Sequence, residues 1–331
     1  MTGAAQPLVT VEDVRAAAER IAGHVVRTPL VPYPAAEPGR PLWFKPESLQ
    51  PVGAFKLRGA FNAILQRIDE ARARGVVTHS SGNHARAVAW VARELGLRAT
   101  IVIPDAAPAV KVDAVRRLGA EVVIVAPEDR DTRAFELAAE HGYVMIPPYD
   151  DAAIVAGQGT IGLEIVADLS RVDGVLVPVS GGGLIGGIAT AVKALSPGTR
   201  VIGVEPELAA DAAESFRTGQ RVSWTPEQTY RTIADGLRTT SVGEIPWRQI
   251  QKYVDDVITV SEDEIRDGVR RLAADVRLVA EPSGAVPFAA YLHHASELGV
   301  DGNVVAVVSG GNLAMDTLAR IIAPDAPSTA G

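Results

Sequence analysis

The chain contains no cysteine among its 331 residues. Disulfides, a thiolate nucleophile and Cys-ligated zinc are therefore excluded. An excess of positive charge is missing too: 32 Lys and Arg stand against 40 Asp and Glu, a net charge of −8. No basic face is expected for nucleic acid or anionic lipid. No segment offers eighteen uninterrupted apolar residues, and residues 1–11 lack a charged stretch followed by a long apolar one. That pattern gives neither a membrane span nor a secretory leader, so a cytoplasmic protein is expected. Internal repeats and low-complexity segments do not stand out, and residues 324–331 are expected to fray. The remainder is 47% apolar and broken by Gly- and Pro-bearing turns. This is the composition of an α/β enzyme long enough to form two subdomains.

Three β-branched hydrophobic runs each end in a Ser-Gly turn followed by helical sequence. They are Val76–His79 before Ser80-Ser81-Gly82-Asn83-His84, Val175–Val179 before Ser180-Gly181-Gly182-Gly183, and Val304–Val308 before Ser309-Gly310-Gly311-Asn312. Glycine lets backbone N–H groups approach a ligand without a Cβ in the way. The start of a helix adds unpaired N–H groups and a partial positive charge. Ligands of parallel α/β sheets bind beyond the carboxyl ends of the strands. Three such turns predict one site that grips a small anionic ligand at several points.

Val11 to Ile21 reads as a helix with Thr10 as N-cap. Between Gly75 and Pro148 strands and helices alternate closely, with strands at Val76–His79, Ala99–Ile103, Glu121–Val125 and Tyr143–Ile146. The alternation resumes at Gly174–Val179, Val201–Val204, Val254–Val260 and Val304–Val308. The organisation expected is a large domain from residues 1–74 and 149–331, with a small domain of residues 75–148 inserted in it. Ser223 to Arg248 reads as a long irregular loop able to cover the site.

Gly181-x-Gly183-x-x-Gly186 matches a dinucleotide fingerprint, with Glu205 nineteen residues beyond Gly186. Alone it would suggest an NAD-dependent oxidoreductase, but it leaves the other two turns without a purpose. Lys56, between Phe55 and Leu57, is a second candidate. A lysine aimed into an apolar site has a lowered pKa and a free amine able to form a Schiff base. Lys45 and Lys111 show no comparable setting in the sequence.

Seven motifs occur in order: Phe55-Lys56-Leu57-Arg58-Gly59, Ser80-Ser81-Gly82-Asn83-His84, Gly157-Gln158-Gly159-Thr160, Ser180-Gly181-Gly182-Gly183-Leu184, Ala234-Asp235-Gly236, Glu281-Pro282-Ser283-Gly284 and Ser309-Gly310-Gly311-Asn312. Together they resemble the threonine/serine dehydratase and serine racemase family. The resemblance runs from Val11 to Ile322 and accounts for all three turns. It implies the α/β, tryptophan-synthase β-like fold of pyridoxal-phosphate enzymes (fold type II), with two α/β domains and mainly parallel sheets.

Roles follow from the resemblance. Lys56 would hold pyridoxal 5'-phosphate and act as base at the substrate Cα. Ser180, Gly181, Gly182, Gly183 and Leu184 would bind the phosphate through the turn. Ser309 would meet the pyridine nitrogen and Asn83 the ring oxygen, with Phe55, Gly236 and Glu281 also around the cofactor. Ser80, Ser81, Gly82, Asn83 and His84 would receive the substrate carboxylate. Ser81 stands where serine racemases place a second proton carrier. Arg86 departs from the family's usual glutamine and is a candidate contact for a further anionic group, such as 3-hydroxyaspartate carries. Arg86 and Ile146-Pro147-Pro148 resemble the hydroxyectoine-utilisation dehydratase branch. Glu205, Ala209 and Asp211 resemble a divalent-cation site with hard oxygen ligands for Mg²⁺ or Ca²⁺. A homodimer without a C-terminal regulatory domain is implied as well. The activity expected is an ammonia-lyase converting a small β-hydroxy amino acid to a 2-oxo acid and ammonia. Serine racemase is the alternative on the same cofactor. A non-catalytic binding module is disfavoured by the presence of Lys56.

Overall fold

A computed structural model of the chain describes residues 7–323. The expected fraying of 324–331 lies outside the described residues. The strands are β1 Val31–Pro32, β2 Leu42–Pro46, β3 Val76–His79, β4 Ala99–Pro104, β5 Glu121–Val125, β6 Val144–Met145, β7 Gly174–Pro178, β8 Arg200–Pro206, β9 Asp256–Val260 and β10 Val304–Val308. The helices are α1 Val11–Ile21, α2 Lys56–Gln66, α3 Ile68–Arg74, α4 Asn83–Glu94, α5 Ala109–Arg116, α6 Arg130–His141, α7 Ala152–Asp168, α8 Gly183–Leu195, α9 Asp211–Thr218, α10 Pro226–Thr229, α11 Glu244–Tyr253, α12 Glu262–Arg271, α13 Pro282–His293 and α14 Met315–Ile322.

Two sheets result. The larger has the order β1-β2-β10-β7-β8-β9 and is parallel except for β1, which pairs antiparallel with β2. The smaller has the order β5-β4-β3-β6 and is wholly parallel. Central strands β7 and β10 are buried along their whole length. That explains their unbroken β-branched runs, since parallel strands covered on both faces do not alternate. Adjacency of β7 and β10 also brings the Ser180 and Ser309 turns side by side at the carboxyl edge.

The helix at Val11–Ile21 forms as expected, with Thr10 and Asp13 making a reciprocal capping box. Ser223–Arg248 is less irregular than expected. Pro226 opens α10 behind a Thr225–Gln228 capping box, and α11 begins at Glu244. The start of α11 is capped from outside its own sequence, because the Asp150 carboxylate accepts from the N–H groups of Glu244 and Ile245. A cap ninety residues away leaves no local signal.

The smaller sheet shares its core with neighbouring elements. Leu57, Phe61 and Ile64 of α2, together with Val52, pack in one apolar cluster with Val76, Ile101, Ile103 and Val144.

Candidate active site

Lys56 is the first residue of α2 and sits where three segments meet. The Phe55 N–H donates to the Ser309 carbonyl at 3.0 Å, and Gly311 N–H donates to the Gly53 carbonyl at 2.9 Å. Ala54 pairs with Gly310 in an isolated antiparallel bridge. These bonds hold the start of α2 against the turn that follows β10. Lys56 is part-buried as a residue, with its Nζ sunk among protein atoms and donating to the Pro148 carbonyl at 2.5 Å. Burial alone pulls its pKa down to about 8.

Lys45 supplies the contrast. It is more completely buried than Lys56, against the sequence expectation that its setting was ordinary. Burial pulls its pKa down as well, but Glu164 lies 2.6 Å from Nζ and opposes that pull. What distinguishes Lys56 is therefore the lack of a carboxylate partner among the described residues, rather than burial as such.

The glycine turn before α8 shows why its residues are glycines. Gly182 has φ +83°, a left-handed conformation, and a Cβ on Gly181 would lie 2.3 Å from Cγ of Tyr149. Ser180 at the mouth of the turn shares a 2.7 Å hydrogen bond with the Thr239 hydroxyl. Ser309 is buried at the end of β10, and Leu184 is buried in the first turn of α8. The turn before α4 reaches the turn after β10 through Asn83. Its Nδ2 donates to Glu281 Oε1 at 2.6 Å, and its Oδ1 accepts from Asn312 Nδ2 at 2.8 Å. Burial, then the Asp235 charge, push the Glu281 carboxyl up to about 8. Gly236 N–H donates to Ser283 Oγ at 2.8 Å, which fixes that exposed turn beside the start of α13.

Ser80, Ser81, Gly82 and Asn83 are part-buried around the start of α4. Ser80 Oγ accepts from Gly82 N–H at 3.1 Å. His84 is enclosed, with Nε2 2.9 Å from the Ile146 carbonyl. A carbonyl only accepts, so Nε2 carries the proton. Burial, and then the charge of Lys56, hold the imidazole down to about 3. Arg86 turns toward Asn312 Oδ1 at 2.6 Å, and so reaches Asn83 only through Asn312. Its other surroundings are a cavity of about 250 Å³ lined also by Trp90, Arg93 and Arg117.

Residues 21–310 match the family described as pyridoxal-phosphate dependent enzyme. The chain belongs to this family. It is 42% identical to the L-threo-3-hydroxyaspartate ammonia-lyase of Saccharomyces cerevisiae, over 95% of this chain and 96% of that protein. It is 40% identical to the L-threonine ammonia-lyase of Thermotoga maritima, over 95% of this chain and 78% of that one. Among solved structures, the serine racemase of maize is similar with a TM-score of 0.89 at 37% identity, covering 95% of this chain and 97% of that chain.

As a pyridoxal-phosphate-dependent enzyme the chain has the fold expected from its motifs, α/β with mainly parallel sheets. Its residues also fit the cofactor. A deeply set amine has no carboxylate to hold it charged, and a turn stripped of side chains opens a helix nearby.

Glu205 and Asp211 are both buried, at the end of β8 and the start of α9, with Ala209 buried in the turn between them. Glu205 Oε1 and both carboxylate oxygens of Asp211 have no hydrogen-bond partner among the described residues. Burial and mutual repulsion push Glu205 well above the usual carboxylate range, and burial raises Asp211 to about 7. Unpaired buried carboxylate oxygens are costly, and their chemistry fits a hard cation. No cluster of three or more His, Asp or Glu side chains suited to a metal occurs among the described residues.

Sequence reasoning assigned no role to Pro148, Tyr149, Thr239 or Asn312. The stiff Pro147-Pro148 pair, separated from the Asp151 N-cap of α7 by Tyr149 and Asp150, was the available signal for a fixed carbonyl at Lys56. Thr239 carries no local signature.

Proposed function

We propose that this enzyme is a pyridoxal-phosphate-dependent ammonia-lyase acting on a small β-hydroxy amino acid, which it converts to a 2-oxo acid and ammonia. The observation that carries the reading is the buried Lys56 amine, without a carboxylate partner among the described residues, held against the turn after β10 and donating to Pro148, whose neighbour Tyr149 lies against the Gly181–Gly183 turn. Pyridoxal phosphate, when bound, would supply an electron-withdrawing ring able to stabilise charge left at the substrate Cα.

The chain's own residues divide the remaining work. Lys56 anchors the cofactor, and an amine with a pKa near 8 can accept the Cα proton close to neutral pH. Ser180 and the Gly181–Leu184 N–H groups would hold the phosphate. Ser309 would offer the ring nitrogen a hydroxyl rather than a carboxylate, a pairing that would leave that nitrogen largely unprotonated and would suit β-elimination. Asn83, fixed by Glu281 and Asn312, would hydrogen-bond the ring oxygen. Residues Ser80 to His84 present the α4 N-terminus to the substrate carboxylate, and Arg86 is the candidate contact for a second anionic group. Residues 75–148 form the substrate-binding domain. Glu205, the Ala209 carbonyl and Asp211 hold Mg²⁺ or Ca²⁺ away from the reacting atoms. A homodimer is part of the same reading and rests on family likeness alone.

Racemisation is the second reading, favoured by the Ser81 hydroxyl beside the carboxylate-binding turn. It needs proton delivery to the face opposite Lys56, whereas elimination needs only the Lys56 face. The test is to supply purified holoenzyme with L-serine, L-threonine and threo-3-hydroxyaspartate, and to measure 2-oxo acid, ammonia and D-serine. Equal amounts of oxo acid and ammonia are expected, and Ser81→Ala removes any D-serine while sparing elimination. Rapid build-up of D-serine with little pyruvate would make the racemase reading the correct one.

A further inference from the structure

Two of the motifs contain residues that the proposed chemistry does not use: Arg58, Gln158 and Thr160. Arg58 is fully buried, two residues after Lys56. Successive helical residues are about 100° apart, so its side chain leaves α2 on roughly the opposite side from Lys56. It cannot touch what Lys56 touches.

Its surroundings form a closed set of charges. Arg58 Nε and Nη2 donate to the two oxygens of Glu47 at 2.8 Å each, a bidentate fork. Nη1 and Nη2 donate to the two oxygens of Glu164 at 2.6 and 2.9 Å. Thr160 Oγ1 and the Val26 carbonyl take further bonds at 3.1 and 3.2 Å. Lys45 completes the set, donating to Glu164 at 2.6 Å and to the Thr28 carbonyl at 2.6 Å. Two cations and two anions balance in a pocket from which water is nearly excluded. Such clusters gain little stability over well-packed apolar groups, and in some proteins they serve to fix one geometry.

The start of α2 needs such a device. Its N-cap, Phe55, is itself in the helical region, and no side chain caps the first turn. The backbone bonds of Gly53 and Phe55 tether the residues before the helix to the turn after β10, but no side chain of the first turn fixes how the helix is rotated. The Arg58 fork fixes that rotation, because Glu47 follows β2 and Glu164 lies on α7.

α7 also spaces α2 from α8. A Cβ on Gly157 of α7 would lie 2.7 Å from the Cα of Gly59, and Gly59 N–H donates to Gln158 Oε1 at 3.2 Å. On the other flank a Cβ on Gly187 of α8 would lie 2.2 Å from the Val155 carbonyl. The two crossings set α2 and α8 at the closest approach that backbones allow, with α7 between them. Lys56 opens α2, and the glycine turn opens α8.

We propose that the Arg58–Glu47–Glu164–Lys45 cluster positions Lys56 relative to the glycine turn, with Arg58 and Glu164 as positioning residues acting through α2 and α7. This rests on Lys56 being the cofactor anchor. The test compares holoenzyme variants Arg58→Lys and Glu164→Gln with Val269→Ala, a destabilising control in the core of α12. Four quantities are read: melting temperature, visible circular dichroism of the bound cofactor, its dissociation constant, and kcat and KM separately.

Misplacement of a reacting group by about 1 Å costs up to roughly a hundredfold in rate. The Arg58 and Glu164 variants are expected to lose roughly ten- to a hundredfold in kcat, with KM little changed. Weaker visible dichroism and looser cofactor binding should accompany that loss. Val269→Ala lowers the melting temperature and keeps all three. If Arg58→Lys does not fold, Glu164→Gln alone decides, since Glu164 reaches the cluster's edge. The proposal is overturned if these variants lose only melting temperature, or if the control loses kcat and dichroism in step with its own melting temperature. A wild-type protein with no cofactor trapped on Lys56 overturns the functional reading and this one together. A labelled wild type with unaltered variants overturns this one alone.

Discussion

Lysine is rarely set among protein atoms without a countercharge, and this chain shows both arrangements within twelve residues. Lys45 has Glu164; among the described residues Lys56 has the Pro148 carbonyl and the face of the Phe55 ring, but no carboxylate. Desolvation acts on both, but only at Lys56 is it unopposed, and only there does the amine fall to about 8. The sign gives a pH dependence. A lysine with a lowered pKa is charged below that value and a free nucleophile above it. Cofactor uptake by protein stripped of pyridoxal phosphate should therefore accelerate as pH rises through about 8 and level off beyond it. An ordinary lysine would keep accelerating toward roughly 10.4. Stopped-flow absorbance across that range distinguishes the two. The motif around Lys56 was legible in the sequence. The burial of Lys45 was not, because its partner lies 119 positions away and a lone lysine in an apolar run gives no hint of one.

At the scale of elements, β3 to β6 were legible because strand and helix alternate at short spacing with clean turn residues. β2 was not. Leu42-Trp43-Phe44-Lys45-Pro46 carries a lysine and a proline, and its place beside β10 comes from pairing across more than 250 positions. α2 was missed for a related reason, since its first turn lacks a cap. The connection from β8 to α9 carries the cation prediction. Glu205 and Asp211 are buried with unpaired oxygens, so an ion that binds only the folded state should stabilise it as its concentration rises. At a concentration a hundred times the dissociation constant the gain is about 2.7 kcal/mol. Thermal melts with Mg²⁺ or Ca²⁺ are expected to show an upward shift that chelator reverses and that Glu205→Gln with Asp211→Asn removes. Melts that ignore both metal and chelator would leave a buried acidic pair and no metal site.

At the scale of the whole molecule, the two sheets are less separate than their sequence blocks suggest. The smaller sheet borrows Val52, Leu57, Phe61 and Ile64 for its core. Each large apolar side chain of that set is worth about 1.5–3 kcal/mol when buried, against a net stability of about 5–15 kcal/mol for a typical domain. A fragment of residues 75–148 alone is therefore expected to be largely unfolded by circular dichroism, and addition of residues 50–66 as a separate peptide should restore structure. A fragment that folds cooperatively by itself would show that the borrowed residues are dispensable. The same sharing ties the functional parts together, because the helix that starts with Lys56 also packs against the domain proposed to bind substrate. Periodicity could not reveal this, since the apolar face of a helix carries no mark of which sheet it covers.

The most direct test is chemical. Holoenzyme treated with borohydride should lose its visible absorption and gain a stable pyridoxyl group on one peptide, that containing Phe55-Lys56-Leu57. Lys56→Ala protein should show neither the band nor the label, and should lose most of its activity. A label on another lysine, or a colourless protein that retains full activity, would contradict the assignment of Lys56 as the cofactor anchor.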